Sequence, residues 1–288
     1  MPSQTVQWFP GHMAKTRRVM KECLSQVDIS IEILDARIPA SSKNPEIKKI
    51  LGQKPILTLL SKSSMADSAS TKLWVEYYRE KGYPCLAVDS VTGEGFRDIY
   101  PYIQTLLEEK IQRYQSKGMT GRRLRAMVVG IPNVGKSTLI NKMAGAKKAK
   151  AENRPGVTTI KQWVSTDMGL DLLDMPGVLW PKFEDKITGE NLAITGAIKD
   201  DILDIEEIAM ILCDRLRCYY PALLTERYRV SADEQQSLDA YDLFQQIGKN
   251  RGFLMAGGRV DEQRTARTLL EEFRNIKIGR ITLERPNP

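Results

Sequence analysis

The feature that most constrains the fold of this 288-residue chain is the stretch 130–138, which reads Gly-Ile-Pro-Asn-Val-Gly-Lys-Ser-Thr. The apolar run at residues 126–129 precedes it and is typical of a buried parallel strand, while Leu139, Ile140 and Met143 follow at helical spacing. A strand, a glycine-rich loop and a helix in this order form a phosphate-binding loop. We therefore predict a doubly wound, mainly parallel α/β sheet built around this loop.

The residue types of this loop match the chemistry of a nucleotide triphosphate. Backbone N–H groups around Gly135 can surround a phosphate, Lys136 can reach the terminal phosphates, and Ser137 offers a hydroxyl to magnesium. The predicted nucleotide ligands of the loop are Asn133, Val134, Gly135, Lys136, Ser137 and Thr138.

A second segment supplies candidates for the metal and the terminal phosphate. Residues 170–177 read Leu-Asp-Leu-Leu-Asp-Met-Pro-Gly, an apolar strand that ends in Asp174. We expect Asp174 to hold magnesium together with Ser137, and the Gly177 N–H to meet the third phosphate. Between the two segments, Thr158 is predicted to close onto magnesium when that phosphate is present. A carboxylate at a strand end is unremarkable alone, but the upstream phosphate loop favours the metal role.

The candidate base-reading loops precede the phosphate loop, whereas ordinary GTPases place them after it. Residues 56–60 read as a buried strand, and they end in Ser61-Lys62-Ser63-Ser64, where an Asn-Lys-x-Asp loop is expected. Another short strand ends at Asp89 and Ser90, in a Ser-x-x-Gly turn that resembles the second guanine-contacting loop. The predicted nucleotide ligands here are Ser61, Lys62, Ser64, Asp89 and Ser90. This order indicates a circularly permuted GTPase domain, which a doubly wound sheet tolerates because its strands keep their places in space.

Several segments together carry a family resemblance. Residues 8–15 read Trp-Phe-Pro-Gly-His-Met-Ala-Lys, residues 35–39 read Asp-Ala-Arg-Ile-Pro, and residues 174–185 and 195–200 continue the pattern. With the permuted loops, the chain resembles the YlqF/RbgA family of ribosome biogenesis GTPases over nearly its whole length. The resemblance implies a cytoplasmic bacterial GTPase that binds the immature large ribosomal subunit and promotes its late maturation. Its ligands would be GTP and GDP, and hydrolysis would trigger release.

The base loop departs from the family pattern. Ser61 and Ser64 stand where the family has asparagine and aspartate, and the aspartate normally accepts two hydrogen bonds from guanine. Loss of a charged acceptor costs roughly 1.5–3 kcal/mol, so selectivity for guanine over adenine is expected to fall about ten- to hundredfold. Ser64→Asp should then raise the preference for GTP, and Asp67 could replace the missing carboxylate only along a different backbone path. A purine nucleotidase of relaxed specificity therefore remains an alternative.

The catalytic group is not the one that many GTPases use. Val178 occupies the position where a glutamine often orients the attacking water, and an apolar side chain cannot do so. His12 is the chain's single histidine and can act on water at neutral pH, although packing of the N-terminal segment explains it equally well. The family resemblance favours catalysis by His12. A nucleotide-dependent RNA chaperone with little turnover remains an alternative; a tRNA-modifying GTPase would need a second catalytic domain, for which the sequence offers no candidate.

A monovalent cation is suggested by Asn133. Asparagine at this place in the phosphate loop resembles that of potassium-activated GTPases, where its side-chain oxygen helps to hold the cation. A solvent-exposed polar residue is an equally good interpretation. Magnesium is therefore the predicted cofactor, with potassium as a second candidate.

The positive charge is uneven along the chain. The net charge is +7, yet residues 205–288 carry 13 basic and 13 acidic residues, so the excess lies in residues 1–204. Three basic clusters, at residues 15–21, 113–125 and 142–154, flank the nucleotide loops and indicate an RNA partner.

A boundary between two domains is predicted after residue 204. Residues 1–204 would form the GTPase domain with its basic N-terminal segment. Residues 205–288 would form a small helical RNA-binding domain, with helices near 206–220, 240–247 and 266–273. We expect no membrane span, because the sequence has no apolar run of spanning length. The protein is further expected to be a monomer that acts in the cytoplasm.

Overall fold

A computed structural model describes residues 10–145, 162–180, 183 and 185–286 of the chain, with side chains from residue 15 onward. Within these residues, a six-stranded sheet has the strand order β3-β2-β1-β4-β6-β5. Its strands are β1 Ile29–Asp35, β2 Ile56–Ser61, β3 Cys85–Ala87, β4 Leu124–Gly130, β5 Gln162–Ser165 and β6 Leu170–Asp174. Neighbouring strands run parallel except β5, which is antiparallel to β6.

The sheet confirms the predicted permuted order. Ile31 of β1 pairs with Leu57 of β2 on one side and with Val128 of β4 on the other. The strand that leads to the base loop and the strand that leads to the phosphate loop therefore belong to one sheet. Because β1, β2 and β4 are parallel, the loops at their carboxyl ends meet at the same edge.

Twelve helices are described in these residues. They are α1 Pro10–Cys23, α2 Pro45–Leu51, α3 Ser68–Glu80, α4 Phe96–Leu106, α5 Glu108–Ser116, α6 Lys136–Met143, α7 Lys186–Ile194, α8 Ile205–Tyr219, α9 Pro221–Tyr228, α10 Ala232–Ser237, α11 Ala240–Asn250 and α12 Glu262–Arg274. Short 3₁₀ turns lie at Leu24–Gln26, Ser63–Met65 and Asp200–Ile202.

The strands are apolar because helices cover both faces of the sheet. On one face, Met20 of α1 and Ile47 of α2 join a buried cluster with Met127 of β4. The same cluster includes Met175 and Val178, which follow β6. The first helix is therefore anchored beside the turn that carries Gly177.

The C-terminal helices share the largest buried cluster with the sheet. Leu212 of α8 and Phe244 of α11 belong to the same apolar cluster as Ile31 and Val128 of the central strands. Helix α8 begins at the predicted boundary, where Asp204 caps it by accepting hydrogen bonds from the backbone N–H groups of its first turn. Packing continues across that position, so the division into two domains stays a prediction. Helices α9 and α10 were missed, because each is too short for a clear apolar period.

The last residues of the chain return to the base loop. Beyond α12, the Ile281 N–H donates to Met65 O at 3.2 Å, and the Leu283 N–H donates to Arg37 O at 2.8 Å. We call residues 278–286 the C-terminal strap.

As for membrane association, none of the helices in the described parts of the chain combines the length and the apolar character that crossing a bilayer requires.

Candidate nucleotide site

The phosphate loop is tightly curled between β4 and α6. Asn133 and Gly135 both have left-handed backbone conformations, with φ of 56° and 98°. Gly130 passes so close to β1 that an added Cβ would lie 2.6 Å from Ile33 O. These contacts explain the glycines of the motif, since the loop backbone can approach its neighbour only where no side chain intervenes.

Lys136 lies inside this loop. Its side chain is buried, and its ammonium group donates to Ile131 O at 2.7 Å and to Gly130 O at 3.2 Å. Burial lowers the pKa of Lys136, whereas the nearby negative charge of Asp174 raises it. Burial has the larger effect and brings the pKa to about 8. Among the described residues, the ammonium group of Lys136 donates hydrogen bonds to carbonyl oxygens only, so it is well suited to bind a phosphate, which would compensate the lost hydration.

The metal candidates converge at the end of β6. Ser137 Oγ donates to Asp174 Oδ2 at 3.4 Å, a long hydrogen bond, which brings two of the three predicted magnesium ligands together. The second carboxylate oxygen, Asp174 Oδ1, is buried and accepts no hydrogen bond from the described residues. An unsatisfied buried carboxylate oxygen beside a hydroxyl fits a hard divalent cation.

Gly177 touches the phosphate loop. A Cβ added there would lie 2.8 Å from the Cα and N atoms of Pro132 and 2.9 Å from Lys136 Nζ. The Val178 N–H donates to Gly130 O at 3.2 Å, which holds this turn against the loop. The Val178 side chain is buried in the cluster beneath α1, as its apolar character requires.

The first base loop is fastened to the phosphate loop, although more than 70 residues separate them in the chain. Ser61 Oγ lies 2.6 Å from Val134 O and 2.9 Å from Leu34 O. Lys62 Nζ donates to Asn133 O at 2.7 Å, and Lys62 has a left-handed backbone with φ of 58°. The structure therefore brings together the base loop and the phosphate loop that the permuted order predicted to be neighbours.

A buried ion pair supports Lys62, and the sequence did not reveal its role. The Asp35 carboxylate accepts from Arg37 Nε and Nη2 at 2.9 and 2.7 Å, and from Lys62 Nζ at 3.0 Å. Burial raises the pKa of Asp35, but the charges of Arg37 and Lys62 outweigh it and hold that pKa well below its usual range. The available signal was the position of Asp35, at the carboxyl end of a strand next to the phosphate strand.

The two base loops meet at Ser64 and Asp89. Ser64 Oγ donates to Asp89 Oδ2 at 2.6 Å, and the Ser64 N–H reaches the same oxygen at 3.2 Å. Ser90 follows on the rim of this loop and is half-buried. Asp67 accepts from the Ser70 N–H at 2.6 Å as the cap of α3. Its carboxylate therefore has a local structural role, which argues against Asp67 as a substitute base reader.

Some predicted residues cannot be placed. Thr158 and the basic residues of the third cluster beyond Lys142 lie outside the described part of the chain. His12 lies within α1, but its side chain is also outside the description. Thr138 is exposed at the start of α6, and Asn133 Nδ2 donates to Gly196 O at 3.3 Å.

The parallel sheet, the phosphate loop and the base loops that precede it define a circularly permuted phosphate-loop GTPase. Residues 125–236 match the family model described as 50S ribosome-binding GTPase. The chain is 46% identical to Ribosome biogenesis GTPase A of Bacillus cereus, over 98% of this chain and 94% of that protein. It is 48% identical to the protein of the same name from Priestia megaterium, over 98% of each. The chain therefore belongs to the ribosome biogenesis GTPase A (RbgA/YlqF) family.

Solved structures agree on the fold. GNP-bound YlqF from T. maritima superposes with a TM-score of 0.64, at 24% identity over 95% of this chain and 99% of that one. A GDP-bound form of TM YlqF gives a TM-score of 0.65, also at 24% identity, over 93% of this chain and 99% of that one.

Proposed function

We propose that this ribosome biogenesis GTPase binds the immature large ribosomal subunit in its GTP form, promotes late maturation and leaves after hydrolysis. The observation that carries the proposal is the fastening of the base loop to the phosphate loop through Ser61 and Lys62. That contact creates one site from two distant segments, one for the base and one for the phosphates. The family description as 50S ribosome-binding supports the large subunit as partner.

Within this site, each residue has a proposed role. Lys136 would leave its carbonyl partners and bind the terminal phosphates, while the Gly177 N–H would meet the third phosphate. Lys62, Ser64 and Asp89 would surround the base. Magnesium would be held by Ser137, Asp174 and Thr158, and when bound it would neutralise charge on the phosphate oxygens. Asn133 donates through its nitrogen, so its side-chain oxygen remains a candidate potassium ligand.

Water activation is assigned to His12. Val178 is buried and apolar, so it cannot orient water. Helix α1 carries His12 in its first turn, and its Met20 belongs to the same buried cluster as Met175 and Val178 beside the Gly177 turn. We propose that contact with the ribosomal subunit brings the imidazole to the third phosphate.

The RNA-binding surface is assigned to exposed basic residues. Helix α1 exposes Lys15, Arg18 and Lys21, and the connector between α5 and β4 exposes Arg122. In the C-terminal part, proposed as a separate helical RNA-binding domain at residues 205–288, the exposed arginines include Arg251, Arg259, Arg264 and Arg267. Binding should weaken steeply as salt rises, because phosphate contacts release counterions. We further propose that the protein acts as a monomer in the cytoplasm, where ribosomal subunits mature.

The test is phosphate release from GTP and from ATP, each with and without isolated large subunits. We expect subunits to stimulate GTP hydrolysis, and His12→Ala to lower the stimulated rate by about 10²–10⁴-fold with nearly unchanged GTP affinity. Ser25→Ala, exposed in the turn that follows the same helix, is the control. Absence of stimulation would contradict the ribosomal role. Equal turnover of ATP would instead support a purine nucleotidase of relaxed specificity.

A further inference from the structure

The base loop lacks a carboxylate of its own, yet a carboxylate lies against it. Ser64 occupies the fourth position of the loop, where the family has aspartate. Asp89 comes from the neighbouring base loop, 25 residues later, and its Oδ2 lies 2.6 Å from Ser64 Oγ. The negative charge is therefore present at the site, but it lies on Asp89 behind the Ser64 hydroxyl and not on residue 64 itself.

Asp89 is held firmly in this position. Its Oδ1 accepts from the backbone N–H groups of Val91 and Thr92 at 2.8 and 2.9 Å, and its Oδ2 accepts from Ser64. Burial opposes ionisation of Asp89, but the hydrogen bonds from Ser64, Thr92 and Val91 outweigh it, so the pKa of Asp89 is lowered. The group is a carboxylate at neutral pH and has no proton to donate.

The ionised state of Asp89 fixes where the serine proton lies. A hydroxyl has one proton, and the short contact between two oxygens requires that Ser64 donates it to Asp89. Ser64 Oγ can then offer only lone pairs to a base. Guanine presents N1–H and N2–H₂ donors on this edge, whereas adenine presents the N1 lone pair. A serine free to rotate would suit both bases, but an acceptor-only serine suits guanine.

We propose that Asp89 is a positioning residue that makes Ser64 a guanine-specific acceptor, and that the pair replaces the single aspartate of the family's base loop. This proposal rests on the proposed GTP site and deepens it. It also revises the expectation from sequence that Ser64→Asp alone restores selectivity. The introduced carboxylate would face Asp89 at hydrogen-bonding distance, and two carboxylates so close repel each other.

The test compares the affinities of the purified full-length protein for GDP, ADP and XDP. Asp89→Asn keeps the shape of the side chain, but its amide can donate to Ser64 Oγ. The Ser64 hydroxyl is then free to donate its own proton to a base. The GDP-to-ADP affinity ratio should fall about tenfold or more, and XDP, with an oxygen in place of the N2 amino group, should gain relative to GDP. Thr92→Ala perturbs the same loop without touching Ser64 and should leave the ratio unchanged.

A double substitution keeps the test decisive if Asp89→Asn disturbs the loop. Ser64→Asp with Asp89→Asn moves the carboxylate to the family position, so it should restore at least the parent ratio, whereas Ser64→Asp alone should weaken GDP binding. A parent ratio retained by Asp89→Asn, or a gain from Ser64→Asp alone, would overturn the proposal while leaving the GTP site intact. A parent that binds no nucleotide would overturn the proposed function and this proposal together.

Discussion

The phosphate side and the base side of the site differ in how closely they keep to their motifs. The phosphate loop fills every required position, whereas the first base loop has serine in place of both the asparagine and the aspartate of its motif. The physical reason is the kind of group that does the binding. Phosphates are bound largely by backbone N–H groups, so the glycines that shape the backbone cannot be exchanged. Bases are bound by side chains, so a charge that is missing at one position can be supplied by a neighbouring residue, as Asp89 does for position 64.

The largest effect is expected where one side chain carries the phosphate interaction. Lys136→Ala removes the buried ammonium group and should weaken GTP and GDP binding by about a hundredfold or more, as does truncation of one partner in a buried charge pair. The measurement is titration with a fluorescent nucleotide, with thermal unfolding to verify the fold. Lys142→Ala, an exposed lysine on the same helix, is the control and should bind like the parent. Parent-like binding by Lys136→Ala would remove the phosphate-loop assignment.

The phosphate side of the site could be predicted from the sequence, whereas the contacts of the base side could not. The phosphate loop, its strand and Asp174 were predictable because their spacing along the chain is short and fixed. The permuted sheet was predictable because the strands are apolar. The partners of the base side were not, since they form across large separations: Arg280 donates to Ser63 O across 217 residues and to Ala66 O across 214. Nothing periodic in the sequence marks such contacts.

A second prediction concerns the phosphate side in its GTP form. Gly177→Ala would place a methyl group 2.8 Å from Pro132, so the turn must move away from the phosphate loop. Because the Gly177 N–H is proposed to meet only the third phosphate, affinity for a non-hydrolysable GTP analogue should fall about tenfold, with GDP affinity much less affected. Equal losses for both nucleotides would mean that the turn supports the whole loop instead. Gly189→Ala, where the backbone is not left-handed and the added Cβ would meet the Phe183 ring at 3.3 Å, is the control for loss of a glycine.

On the base side, Ser61 is expected to act on stability more than on selectivity. Ser61→Ala removes the hydroxyl that bridges Val134 O and Leu34 O, and an unsatisfied buried carbonyl costs about 1–2 kcal/mol. Chemical denaturation should report that loss, while GDP and ADP affinities fall by the same small factor. A change in the GDP-to-ADP affinity ratio would contradict this structural role, because it would give Ser61 a direct role in reading the base.

The smallest effect is expected at the C-terminal strap, where it contacts the first base loop. Arg280 donates to Ser63 O at 3.0 Å and to Ala66 O at 2.9 Å, so it fastens the backbone on either side of Ser64. Arg280 is exposed, and two hydrogen bonds at an exposed site stabilise a loop only modestly. Arg280→Ala should weaken GDP binding roughly threefold, about 0.7 kcal/mol, through greater freedom of the base loop. Arg285→Ala, on the same strap but bonded to Thr282 and Tyr220 instead, should not change it. If both variants bind GDP equally well, the strap only covers the loop. If Arg280→Ala alone binds more weakly, the C-terminal helices are coupled to the nucleotide through the base side, by a route separate from the Gly177 turn.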